Sequence, residues 1–389
     1  MQSRIVAMAE QWSTESTRRR TASVTGWGME MKIGIEAEYW VIDESGELVT
    51  ETDDALNDLF DVSEYVVPEF VIPLLEVQTP PVSSTEELRR ELGLILRRVR
   101  DTGEERGLSL VPLGTPLASE SLDITTERGR LLEEMYGEDM EYAKNCAGTH
   151  VHFDKGNVVR QVNLLTALDP ALALVCSSPY YDGNRMACSS RAAVYRYESH
   201  ETFARYRDLW EYVESEAQWE ERIDEGYHVL QLLARERGID TETFSQYFDR
   251  ENAVLTPVRL RQQSPTVEWR APDTALPSQI LRLVGEVANL MEQTEYKEVV
   301  VGEAGVRTNE IGIPPFSELH ELSEEAINEG VGSLRVQDYL TTMGFDVTRY
   351  HPISERIEHG WTLPDGEARR IRLEYADLLK EDIDDLTSV

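Results

Sequence analysis

Lysine is almost missing from this chain. Its 389 residues include 38 basic side chains, of which only five are lysine (Lys32, Lys144, Lys155, Lys297 and Lys380) and the other 33 arginine. Against them stand 73 acidic residues, giving a formal net charge of −35. Such an excess repels phosphate backbones and anionic bilayers, so neither nucleic acid nor a membrane surface is an expected partner. It fits a salty cytoplasm, where screening removes most self-repulsion; an ordinary acidic protein is the alternative. Cysteine is scarce as well. Cys146, Cys176 and Cys188 are odd in number and form no C-x-x-C, which suits free thiols in a reducing compartment. The apolar stretch Ala171–Cys176 is far short of the ~20 residues a membrane-spanning helix needs. With no secretory signal evident, the expected location is cytoplasmic. Nucleotide-binding and hydrolase signatures are also missing: no G-x-x-x-x-G-K-[ST], no G-x-G-x-x-G after a strand, no H-E-x-x-H, no G-x-S-x-G. A bound nucleotide must then be held by metal and arginine.

What the chain does have is four strand-like segments with an apolar and a polar face. Side chains alternate along a strand. In the segment 31–41, Ile33, Ile35, Ala37 and Tyr39 share one face, and Glu36 and Glu38 the other. Glu76 stands in the apolar run 74–80. His150, His152 and Asp154 oppose Thr149, Val151 and Phe153, while Glu268 and Arg270 oppose Val267 and Trp269. Paired carboxylates on one strand repel, and burying them is costly unless a cation sits between them. Oxygen-rich sites suit Mg²⁺ or Mn²⁺. Each segment also has a plainer reading: a solvated face for Glu36 and Glu38, a hydrogen-bonded core histidine for His150, a structural ion pair for Glu268 with Arg270. Glu69, seven residues before Glu76, has the opposite strand parity and joins the same face only if Pro73 or a turn breaks the strand. The loop from Ser177 through Gly183 to Arg191 is rich in glycine, serine and hydrogen-bonding groups, and is a candidate lining for a small zwitterion pocket with Arg185 or Arg191 gripping a carboxylate; an ordinary connection is the alternative.

Residues 1–27 read as a polar tail, 28–300 as the domain that carries the chemistry, and 301–389 as an acidic extension packed on it. A helix is expected from Ser84, with Glu87 completing a capping box, and others over 125–145, 160–176, most of 200–250, 277–293 and 368–379. A strand is expected over 108–113. Isolated strands with one polar sheet face favour an antiparallel α+β arrangement.

Taken in order, G-I-E-A-E at 34–38, L-E-V-Q-T-P at 75–80, G-T-H-V-H at 148–152, S-S-P at 177–179 with Gly183 and S-S-R at 189–191, and E-W-R-A-P-D at 268–273 resemble the glutamate–cysteine ligase family and its carboxylate–amine ligase relatives. The acidic, arginine-rich style resembles a haloarchaeal member. The resemblance implies a glutamine-synthetase-like fold, an antiparallel sheet curved into an active-site funnel with helices on its outer face. It implies Mg²⁺ ligands (Mn²⁺ as a substitute) at Glu36, Glu38, Glu69, Glu76, His150 and Glu268. It places Arg191 and Arg270 on ATP phosphates or the glutamate carboxylate, with Ser177 and Gly183 as further nucleotide contacts. The implied reaction is ATP-dependent ligation of glutamate to cysteine. A different amine acceptor, a metal-dependent hydrolase and a non-catalytic amino-acid sensor are the rivals.

Overall fold

The computed structural model describes residues 31–52, 54–118, 122–198, 206–251, 254–262 and 264–388. The expected N-terminal tail, 1–27, lies outside the described residues. In chain order the elements are β1 (Ile33–Asp43), α1 (Asp54–Phe60), β2 (Val66–Pro68), β3 (Leu74–Gln78), α2 (Thr85–Arg106), β4 (Leu108–Val111), α3 (Glu127–Tyr136), α4 (Met140–Lys144), β5 (Thr149–Asp154), α5 (Val158–Ala167), β6 (Tyr180–Tyr181), β7 (Asn184–Arg185), α6 (Ser190–Tyr197), α7 (Glu216–Glu236), α8 (Thr241–Tyr247), β8 (Val258–Leu260), β9 (Thr266–Trp269), α9 (Pro277–Gln293), β10 (Glu298–Val301), β11 (Gly305–Val306), β12 (Glu310–Ile313), α10 (Phe316–Glu329), α11 (Leu334–Thr342) and α12 (Asp365–Thr387).

One antiparallel sheet organises the molecule, in the order β2-β3-β1-β5-β9-β8, with β4 beside the far end of β1. Alternation makes it two-faced. Ile35, Ala37, Tyr39, Leu75, Val77, Val151, Phe153, Val267 and Trp269 bury into the main core with Leu88, Leu92 and Leu96 of α2 and Leu283, Val284 and Val287 of α9. The arrangement is the antiparallel α+β one that the strand pattern anticipates, in keeping with the glutamine-synthetase-like fold that the resemblance implies. Helix α2 starts where its sequence says: Ser84 Oγ accepts from the Glu87 amide at 3.2 Å. The return bond shifts by one residue, Glu87 Oε2 accepting from the Ser83 amide at 3.1 Å rather than from Ser84.

Beyond Tyr39 the second sheet face turns apolar. Trp40 and Ile42 bury against Leu113, Ile353, Leu363, Ala368 and Ile371 in a second core, and Trp40 Nε1 donates to the Leu113 carbonyl at 2.8 Å. Residues after 300 thus close one end of the polar face. The same stretch adds a three-stranded sheet, β10-β12-β11, whose first pair is parallel. Among the described residues no single helix is long and apolar enough to cross a membrane.

Candidate active site

The strand register decides which polar side chains meet. Residues directly opposite in an antiparallel pair share a face. Glu38 stands opposite Glu76, and Glu36 opposite Gln78 on one side and His150 on the other. His152 stands opposite Glu268, and Glu268 opposite Arg259. From β3 to β8 the face therefore runs from carboxylates through imidazoles to guanidiniums. Glu69 joins the acidic end. Its seven-residue offset would turn it away on one continuous strand, but β2 and β3 form a hairpin that pairs Val67 with Glu76. Two residues past Val67, Glu69 lies on the face of Glu76, and both line a cavity of about 370 Å³ with Glu36, Glu38, His150, Arg191 and Arg270.

Within the acidic half, Glu76 accepts from Gln78 Nε2 at 2.7 Å and Glu38 Oε2 from the Gly148 amide at 2.6 Å. These bonds do not offset the crowding. Burial, then the Glu69 charge, pushes Glu38 up to about 8. Burial and the charges of Glu36, Glu69 and Glu38 hold Glu76 well above the usual carboxylate range, and burial raises Glu69. Burial and the Arg270 cation push His150 down to about 3, so its imidazole is neutral. His150 Nδ1 faces both Arg270 Nη1 at 3.2 Å and Glu36 Oε2 at 3.4 Å.

Ligand atoms of Glu38, Glu76 and His150 lie within 4.8 Å of one another. Carboxylates plus one neutral imidazole, without thiolate, are a donor set for a hard divalent cation. Glu36, His150 and Glu268 are similarly close, but Glu268 is already satisfied. Its Oε1 accepts from Arg270 Nη1 at 2.6 Å and Arg259 Nη2 at 2.9 Å, and its Oε2 from Arg259 Nε at 3.0 Å and Arg261 Nη1 at 3.3 Å. The carboxylate expected as a metal ligand is, in this structure, the anchor of an arginine cluster. Three guanidiniums meet on one carboxylate, Arg261 also facing Glu251 at 3.8 Å, so the cluster keeps net positive charge, the complement of a polyphosphate.

Proton release follows from the acidic half. A cation needs Glu38 ionised, and below about pH 8 it must displace the proton held there. The apparent affinity for Mn²⁺ is expected to fall by up to about tenfold per pH unit for each displaced proton as pH drops from 8.5 to 6.5. Calorimetric titration in buffers of different ionisation enthalpy checks both the affinity and the released protons. A dissociation constant flat across that window would refute it.

Arg191 reaches the cavity from the first turn of α6. Its Nη1 and Nη2 donate to the carbonyls of Ala271 at 3.3 Å and Arg270 at 3.4 Å. It lies flat on Gly148, where a Cβ would stand 2.1 Å from Nη2. Asp273 is positioned behind it by the Ser177 amide at 3.0 Å and Ser189 Oγ at 2.9 Å. Two expected nucleotide contacts are not brought to the cavity. Ser177 Oγ accepts from the Gly114 amide at 2.7 Å, so it ties loops together. Gly183 occupies the β6–β7 turn at φ +66°, bonded to Leu117 and Leu363.

Other lining residues are not among those the sequence pattern singles out. Arg128, Tyr136, Cys146, Tyr195 and Arg207 also line the cavity, and Arg259 and Arg261 complete the basic end of the sheet. The alternation Val258-Arg259-Leu260-Arg261 was a usable strand signal. Arg128 and Arg207 come from charged stretches with no such pattern.

Residues 32–327 match the sequence profile of glutamate-cysteine ligase family 2. A Rhodococcus jostii protein provisionally named glutamate–cysteine ligase 2-1 is 27% identical over 263 residues, 65% of each chain. Its namesake from Mycolicibacterium vanbaalenii is 28% identical over 174 residues, 42% of this chain and 44% of that one. The chain therefore spans less than two thirds of the length of either relative. Among solved structures, a bifunctional glutathione synthetase from Pasteurella multocida superimposes with a TM-score of 0.54 at 14% identity, over 90% of this chain and 53% of that one; the likeness is one of fold.

Proposed function

The chain belongs to glutamate-cysteine ligase family 2, and from that membership and the cavity we propose that it is an ATP-dependent ligase joining the γ-carboxylate of glutamate to the amine of cysteine. The observation that carries the reading is the division of one sheet face into a buried carboxylate half and a buried arginine half. Glu38, Glu69, Glu76 and His150 fit Mg²⁺, which when bound neutralises phosphate charge during phosphoryl transfer. Arg259, Arg261 and Arg270, fixed by Glu268, offer donors to the phosphates. The γ-carboxylate of glutamate attacks the γ-phosphorus of ATP, and ADP leaves. The cysteine nitrogen then attacks the acyl carbon of γ-glutamyl phosphate; phosphate leaves and the nitrogen gives up a proton. Arg191 and Arg270, held by backbone carbonyls and by Glu268, act by position and charge rather than as acids or bases.

ADP release tests this. It is expected to need glutamate, cysteine and Mg²⁺ together and to rise toward molar KCl, the salt that the lysine-poor acidic surface calls for. Robust turnover with another amine and none with cysteine would reassign the acceptor. Amide hydrolysis without ATP would reject the ligase.

A further inference from the structure

We propose that Arg207, on the cavity wall facing the sheet, binds the α-carboxylate of an amino-acid substrate. The inference rests on the ligase reading above and adds a subsite to it. Arg207 is only 2% exposed, yet it lines the cavity. Its Nε and Nη1 have no hydrogen-bond partner among the described residues. A buried guanidinium with unmet donors is costly unless a ligand satisfies it.

The surroundings fix the guanidinium, and among the described residues no carboxylate forms an ion pair with it. Its carbon lies 4.7 Å from the centre of the Tyr136 ring and 5.3 Å from that of Tyr195, so two aromatic faces hold the plane. This contrasts with the sheet arginines, all tied to Glu268, and with Arg196, paired to Asp169 at 2.7 Å. Leu132, Met140 and Ala143 line the same cavity. A planar cation among aromatic and aliphatic groups suits a small organic carboxylate. The opposite side of the cavity already offers a cation site and an arginine cluster to the phosphates. Glutamate and cysteine both carry an α-carboxylate, so the experiment must say which one Arg207 takes.

The probes are glutamate, cysteine, 4-aminobutyrate (glutamate without its α-carboxylate) and cysteamine (cysteine without it). Steady-state ADP release and calorimetric binding are measured on wild type, Arg207→Gln and Arg207→Lys, with melting curves for each. Arg207→Gln is expected to raise KM for one of the two amino acids about 10- to 100-fold, with KM for ATP unchanged. The same variant should erase wild-type discrimination between that amino acid and its decarboxylated analogue, and Arg207→Lys should restore part of it. The affected pair identifies the subsite. If Arg207→Gln does not fold, the lysine variant carries the test through its partial loss of discrimination. Amino-acid binding without ATP turnover would defeat the ligase reading alone, and the binding constants would still judge Arg207. KM values and binding constants for both amino acids within threefold of wild type, or an effect on ATP instead, would overturn the proposal. So would a wild type that binds neither amino acid.

Discussion

Glutamine at position 76 is expected to lower kcat about 100-fold or more while raising the melting temperature of the cation-free protein. Glu76 is 6% exposed and stands opposite Glu38. Burial and three neighbouring carboxylates lift its proton affinity far above that of an unfolded glutamate. A carboxyl with a raised folded-state value stabilises the fold below its unfolded value near 4.5 and loses that contribution as pH rises toward the folded value. At neutral pH the cation-free fold must therefore either take up a proton at Glu76 or bear its charge, and both cost stability. Glutamine keeps the shape and can still accept from Gln78, but adds no charge. The same charge is what a divalent cation needs from this site. Metal charge stabilisation is worth several kcal/mol, and each 1.36 kcal/mol is tenfold in rate. Activity and apo stability should move in opposite directions. A variant within a few-fold of wild type in kcat, or one that melts lower without cation, would remove Glu76 from the metal site.

How much of this was readable depended on the distance over which each residue's surroundings are set. Period-two alternation alone put Glu36, Glu38, His150 and Glu268 on polar faces, and the antiparallel sheet followed from the same pattern. Glu69 shows where local reading stops. Its parity argument assumed one strand, and a hairpin around Pro73 inverts it. Ser177 and Gly183 stand in a loop whose composition suits a pocket, but composition does not say which way a loop faces. Ser177 turns to Gly114 and Asp273, at sequence separations of 63 and 96. Arg128 and Arg207 come to the cavity through helix and loop packing, for which no short-range pattern exists. The stretch 206–215, expected to be helical with the rest of 200–250, is instead irregular, and regular helix resumes at Glu216. The resemblance implies that Glu268 binds metal, and its carboxylate does lie with Glu36 and His150, but it also takes Arg259 and Arg261, neighbours that the motif does not show.

That last difference carries the second large effect. Glutamine at 268 is expected to destabilise the protein by about 3–5 kcal/mol, the usual consequence of removing one member of a buried charge network. Glu268 is fully buried and accepts from Arg259, Arg261 and Arg270. Those cations hold its carboxyl well below the ordinary range despite a burial that acts the other way. A neutral amide would turn a donor toward a guanidinium and leave three cations crowded with no anion between them. Burial and the Arg270 charge already depress Arg259 to about 10, so their mutual repulsion is substantial with the carboxylate in place. Whole-protein stabilities of 5–15 kcal/mol make such a loss a large fraction of the total. The two glutamates should therefore separate. Glu76→Gln loses about 100-fold or more in kcat in a protein that melts higher without cation. Glu268→Gln melts lower with or without Mn²⁺, and the folded fraction keeps Mn²⁺ affinity within a few-fold of wild type. Denaturant unfolding beside Mn²⁺ titration for both variants gives the comparison. If Glu268→Gln loses Mn²⁺ affinity at unchanged stability, Glu268 is a metal ligand after all and the arginine cluster is secondary to it.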